Sequence, residues 1–110
     1  MEDNIFGEVI FCYTRADAIR DGGLIDISSE SRYFKVPVAI TCGLAGAIGF
    51  DDEHRSVAQM LLANLLFLIK RQNGNTNRID FEFDGNKMYS LIHGGDNGEP
   101  VITIMLIGED

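Results

Sequence analysis

The chain has 110 residues, 45% of them hydrophobic, enough for one independent core and too few for two ordinary domains. Residues 1–110 are therefore expected to form a single compact domain, and a net charge of −8 argues against nucleic acid or an anionic membrane as its direct partner. The apolar stretches Val38 to Phe50 and Val57 to Ile69 are too short to span a bilayer, and the acidic start Met1-Glu2-Asp3 lacks the features of a secretory signal, so the expected compartment is the cytoplasm.

In chain order, Ile5 to Tyr13 reads as a strand-like segment. Thr14 is a good N-cap and Asp17 sits at the third helical position, so the spacing predicts a short helix over Arg15 to Asp21, stopped by Gly22-Gly23. Leu24 to Ile27 is a short strand candidate, Ser28 to Lys35 a loop or one helical turn, and Val36-Pro37-Val38 extended. Thr41 caps a second helix through Ile48. The interior glycines of that helix are costly, and the spacing Gly43, Gly46, Gly49 suggests close approach to another backbone, taken as that of the helix that follows. Packing is favoured over a phosphate loop, because the stretch lacks the strand and Gly-x-Gly turn of one.

Val57 to Ile69 is the densest apolar run and predicts a central buried helix. At about 100° per residue, Val57, Leu61, Leu65 and Leu68 form one side, with Leu62, Leu66 and Ile69 on one flank and Met60 and Phe67 on the other. Only a narrow polar stripe remains, so protein is expected on at least two sides. Asp51, Asp52 and Glu53 are read as its cap and dipole charges, with His54 in its first turn, Lys70 and Arg71 at its far end, and Gln72 to Asn77 as loop.

The last third changes period. Ile79, Phe81 and Phe83 alternate with Asp80, Glu82 and Asp84, Gly85-Asn86 turns the chain, Lys87 to His93 returns, and Val101 to Leu106 follows a wider turn. The expected fold is α+β: about three helices, with a central buried helix packed on a small antiparallel β-meander.

Chemistry-bearing residues are sparse. Cys12, Cys42, His54 and His93 lack the short spacing of a zinc clip, and both cysteines sit among apolar neighbours as core thiols do. No nucleophile motif and no carboxylate in an apolar setting is present, so no catalytic residue, metal or cofactor is expected. The acidic row is more informative. Alternate strand residues point to one face at intervals of roughly 6.8 Å, so Asp80, Glu82 and Asp84 would stand in line, with Lys87 opposite Asp84. That interval resembles the phosphate step of a nucleic-acid strand. Asp96 and Glu99 in the next loop would extend the field, and Asp51, Asp52 and Glu53 are the next acidic candidates. From Arg78 onward the local balance is −5, so over half the net charge lies in the last third.

Phe6-Gly7-Glu8-Val9-Ile10 running into Tyr13-Thr14-Arg15-Ala16, then Ala18-Ile19, Asp21-Gly22 and Leu24-Ile25-Asp26, resembles a family of small uncharacterised proteins carried by plasmids, phages and other mobile elements. The ending from Gly94 to Asp110, with Asp96-Asn97-Gly98-Glu99-Pro100-Val101 inside it, is similar to that family's ending. The middle is shorter and lacks that family's tryptophans, and no site residue is carried over. The small acidic chain as a whole also resembles the anti-CRISPR proteins directed against type I systems. That resemblance implies a DNA mimic that binds the RNA-guided surveillance complex and blocks target DNA, its partner a basic nucleic-acid-binding protein such as a Cas subunit. An anti-restriction mimic, a mobile-element accessory protein whose acidity only confers solubility, and a small enzyme are the competing expectations.

Overall fold

The computed structural model describes residues 13–30, 34–71 and 77–108. The expected strand-like segment up to Cys12, the core role of Cys12 and the expected loop over 72–76 lie outside the described residues. The first described element is helix α1, Arg15–Asp21. Thr14 Oγ1 accepts the Asp17 amide at 3.0 Å and the Asp17 carboxylate accepts the Thr14 amide at 3.2 Å, a reciprocal capping box. Gly22 ends the helix at φ 88, a left-handed conformation that glycine adopts without a Cβ clash.

Strand β1, Leu24–Asp26, follows, then a 3₁₀ turn over Ser28–Glu30 and strand β2, Val38–Thr41. Thr41 Oγ1 accepts the Leu44 amide at 3.2 Å and so caps helix α2, Cys42–Ile48. Helix α3 spans Ser56–Arg71. Strands β3 (Arg78–Phe83), β4 (Asn86–Gly94) and β5 (Pro100–Leu106) complete the described chain.

The described strands form one five-stranded sheet in the order β1-β2-β5-β4-β3. Strands β3, β4 and β5 make the expected antiparallel meander. The sheet is larger and mixed, because β2 pairs in parallel with β5, Val38 opposite Ile102 and Ile40 opposite Ile104. A parallel pair needs a long crossover, and the helices α2 and α3 lie in that connection. Both bury apolar side chains against one sheet face: Leu44, Ala45 and Ile48 from α2, and Ala58, Leu61, Leu62 and Leu65 from α3, share a core with Val38, Ile40, Met88, Ile102 and Ile104. Helix α1 is placed by polar contacts to β5 and the β4–β5 loop, and it buries no side chain.

Four expectations about the helices are corrected. Helix α3 is buried on one side only, since Met60 and Phe67 are 63% and 59% exposed; it is an outer layer on the sheet, and nothing described covers its far flank. The Gly46 and Gly49 positions make no close approach, because a Cβ built at either would meet nothing within 4 Å; Gly49 instead terminates α2 at φ 77. Cys42 is exposed at the first position of α2 and does not fill the core. Asp51, Asp52 and Glu53 with His54 form a separate turn ahead of α3, whose first turn carries no acid.

Candidate functional site

Strand β3 is a sheet edge among the described strands, and its alternation places Ile79 in the core while Asp80 and Glu82 stand exposed on the other face. Asp80 is not a lone charge. The Arg78 Nε donates to its carboxylate at 2.7 Å, and the same guanidinium lies 3.9 Å from the centroid of the Tyr89 ring on the neighbouring strand. Glu82 stands in register with Lys87.

The expected row of three is shortened to two. Phe83 pairs with Asn86, so the turn is Asp84-Gly85 and not Gly85-Asn86, and Lys87 faces Glu82 instead of Asp84. Both turn residues have positive φ, 53 and 79, which matches the twist of the strands they join, and Asp-Gly is a favoured pair for that geometry. Asp84 therefore belongs to the hairpin tip and leaves the line of Asp80 and Glu82.

Asp96 and Glu99 lie at the opposite end of β4, in loop 95–99, and are committed to local structure. The two Asp96 oxygens accept the backbone amides of Arg15 at 2.8 Å and Ala16 at 3.1 Å, which places a carboxylate on the open end of α1. Glu99 accepts the Asn97 amide at 2.9 Å and packs so near Gly95 that a Cβ there would lie 2.7 Å from its carboxylate oxygen. Asp51 accepts the amides of Glu53 and His54 and bonds the His54 ring at 2.7 Å; the His54 contact comes first among the causes that hold its carboxyl below the ordinary range. Asp52 faces solvent 3.5 Å from Arg55, whose guanidinium also bonds Glu30 at 2.8 Å. The eight expected carboxylates thus fall into four separate places: the Asp51 turn, the β3 edge, the hairpin tip and the β4–β5 loop.

A second feature lies across the sheet from α2 and α3. Between α1 and the outer face of β4 and β5 is an open cleft of about 530 Å³, lined among others by Arg15, Leu24, Leu91, His93, Thr103 and Met105. At its floor Thr103, only 5% exposed, accepts Arg15 Nη1 at 2.6 Å and meets His93 Nε2 at 2.8 Å, while Arg15 Nη2 donates to the Ile102 carbonyl at 2.9 Å. The His93 Nδ1 lies 3.0 Å from the Gly94 carbonyl. A neutral ring protonated on Nδ1 satisfies every partner: Arg15 donates to Thr103, Thr103 donates to His93, and His93 donates to Gly94; this tautomer is assigned from the network.

No family model, curated protein or solved structure matches this chain. Sequence reasoning missed the cleft because Arg15 and Thr103 are 88 residues apart. The one available signal was Thr103 itself, a hydroxyl inside the otherwise apolar run Val101 to Leu106.

Among the described residues no group of three or more His, Cys, Asp or Glu side chains is arranged to hold a metal ion, and no helix is long and apolar enough to cross a membrane.

Proposed function

We propose that this protein is an acidic interaction protein of the bacterial cytoplasm that works by binding and performs no catalysis. In this reading it is a DNA mimic of the anti-CRISPR kind, whose partner is a basic nucleic-acid-binding protein, first a Cas subunit of a type I surveillance complex and otherwise a component of a restriction system. The observation that carries it is the pair Asp80 and Glu82, exposed at strand spacing on the outermost of the described strands in a chain of net charge −8. A channel lined with Lys and Arg for phosphates accepts such a surface for the same electrostatic reason. Asp84 at the adjoining tip enlarges the field, although out of line.

A second reading, an accessory protein whose acidity confers solubility alone, is favoured by the local engagement of Asp80 with Arg78, Asp96 with α1 and Asp51 with His54. Competition with target DNA for the purified complex separates the two. The folded triple reversal Asp80→Lys, Glu82→Lys, Asp84→Lys is expected to lose exclusion of DNA, and wild-type exclusion is expected to weaken as salt rises. A folded reversal that excludes DNA as well as wild type does would refute the mimic surface.

A further inference from the structure

The Arg15 guanidinium is half-buried, and its bonds go to two neutral acceptors, the Thr103 hydroxyl and the Ile102 carbonyl. Among the described residues it makes no ion pair. Asp96 spends both oxygens on the amides of Arg15 and Ala16, and Asp26 accepts the Ser28 amide. Asp17 is engaged by Thr14 and Arg20, and Asp21 by the Tyr13 hydroxyl and Arg20, so neither is released toward the cleft. Burial dominates the influences on Arg15 and works against its charge, while Asp26, Asp96 and Glu99 support it only from beyond contact. A cation partly withdrawn from water without a carboxylate partner is a poor arrangement for stability, and it leaves guanidinium N–H groups unassigned at the cleft.

The register of the strands gives the cleft two unlike ends. His93 stands opposite Val101, Leu91 opposite Thr103, and Tyr89 opposite Met105, so along β5 the outer face passes from the His93 imidazole, through Thr103 and Leu91, to the Met105 thioether beside the Tyr89 ring. Leu24 pairs with Thr41, the residue after Ile40, which faces Ile104, so Leu24 lines the Met105 end of the cleft from across β2. Four strand steps from Val101 to Met105 span about 13 Å. The volume lies within the range of small-molecule sites, where apolar walls and a few convergent polar groups are the usual composition.

We propose that this cleft binds a small organic monocarboxylate, with the carboxylate on Arg15 at the polar end and the apolar body along Leu91, Leu24 and Met105. A carboxylate supplies the charge partner that Arg15 lacks, in a charge-assisted bond stronger than those to Thr103 and Ile102. An alcohol of the same length supplies the apolar contacts alone. This site shares no residue with the β3 carboxylates, so it stands or falls apart from the proposed mimicry.

The test is a titration of the full chain with hexanoate, followed by amide and side-chain NMR shifts, with 1-hexanol as the uncharged control. Saturable shifts at Arg15, Leu91, His93 and Thr103 are expected with hexanoate, and at least about tenfold weaker binding of 1-hexanol. Arg15→Lys should retain the preference for hexanoate, and Arg15→Gln should abolish it. Leu91→Trp, which fills the cleft opposite Thr103 and leaves Arg15, Thr103 and His93 themselves unsubstituted, should weaken hexanoate by at least about tenfold in a protein whose spectrum away from the cleft is unchanged. Equal binding of hexanoate and 1-hexanol, shifts confined to other surfaces, an undiminished response in Leu91→Trp, or no saturable shift at all would each overturn the proposal.

Discussion

Leu65 and Phe67 lie two positions apart on α3, and their contrasting environments give a sharp test of how that helix is seated. Leu65 is fully buried in the core with Leu61, Leu62 and Ile79, whereas Phe67 is 59% exposed. Truncating a completely buried leucine removes its transfer free energy and leaves a cavity, so Leu65→Ala is expected to cost about 3–5 kcal/mol. A chain of this size has a total stability of about 5–15 kcal/mol, and the single change would remove a large share of it. For Phe67 less than half the side chain leaves water, about 1 kcal/mol of the 1.5–3 kcal/mol that full burial brings. The Arg71 guanidinium, 5.7 Å from the ring centroid, adds about 0.5–1 kcal/mol at an exposed site. Phe67→Ala should therefore cost about 1–2 kcal/mol. Urea unfolding of both variants, with the slope checked against wild type, measures the difference. Equal losses would refute the one-sided seating and restore a helix enclosed on both flanks.

The Asp84-Gly85 turn predicts that Gly85→Ala costs about 1–2 kcal/mol, because φ 79 is left-handed while the space around a new Cβ is open; thermal melts that show no loss would mean that the hairpin adopts another register. Acid should destabilise the fold through Asp17, Asp51 and Glu30, each held below its ordinary value, Asp17 chiefly by the Thr14 amide, Asp51 by His54 and Glu30 by Ser29 and then Arg55. For a depressed carboxyl the stabilisation is present above the unfolded value, 3.8 for Asp and 4.5 for Glu, and is lost as pH falls through the folded one. Tm against pH should accordingly drop through that acid window, and Asp17→Asn should flatten part of the drop; an unaltered profile would remove Asp17 from the account.

Local signals in the sequence were reliable where one or two residues decide the backbone. Thr14 with Asp17 starts α1, Gly22 ends it and Thr41 starts α2, whereas Gly49, read as a close approach to another backbone, instead ends α2. Periodicity likewise identified α3 and the meander. It failed where a choice depends on distant neighbours. An apolar residue at a flank position such as Phe67 looks the same whether another layer covers it or not, and the hydrophobic pattern of β2 does not reveal that it pairs with β5, 64 positions further on at Val38 and Ile102. Asp84 was misplaced for a different reason: it continues the alternation of β3, yet Asp-Gly turn chemistry removes it from the strand. Of the candidate site, the exposed Asp80 and Glu82 were legible from alternation. The Arg15, Thr103 and His93 cluster was not, since it exists only once α1 is laid against β5.

The position of β5 also orders events in time. It is the last described strand to be synthesised and the central strand of the sheet, with β2 on one side and β4 on the other. Until it is made, β1 with β2 and β3 with β4 are two separate ribbons, each with an unpaired edge facing the gap that β5 will fill. Such edges recruit other chains readily, and contacts of long sequence separation form slowly. A nascent chain of this protein is therefore most vulnerable to aggregation just before its last described strand is added, and a break in loop 95–99 would leave β5 held in the middle of the sheet by pairing and packing alone, while the α2–α3 crossover still joins the two ribbons.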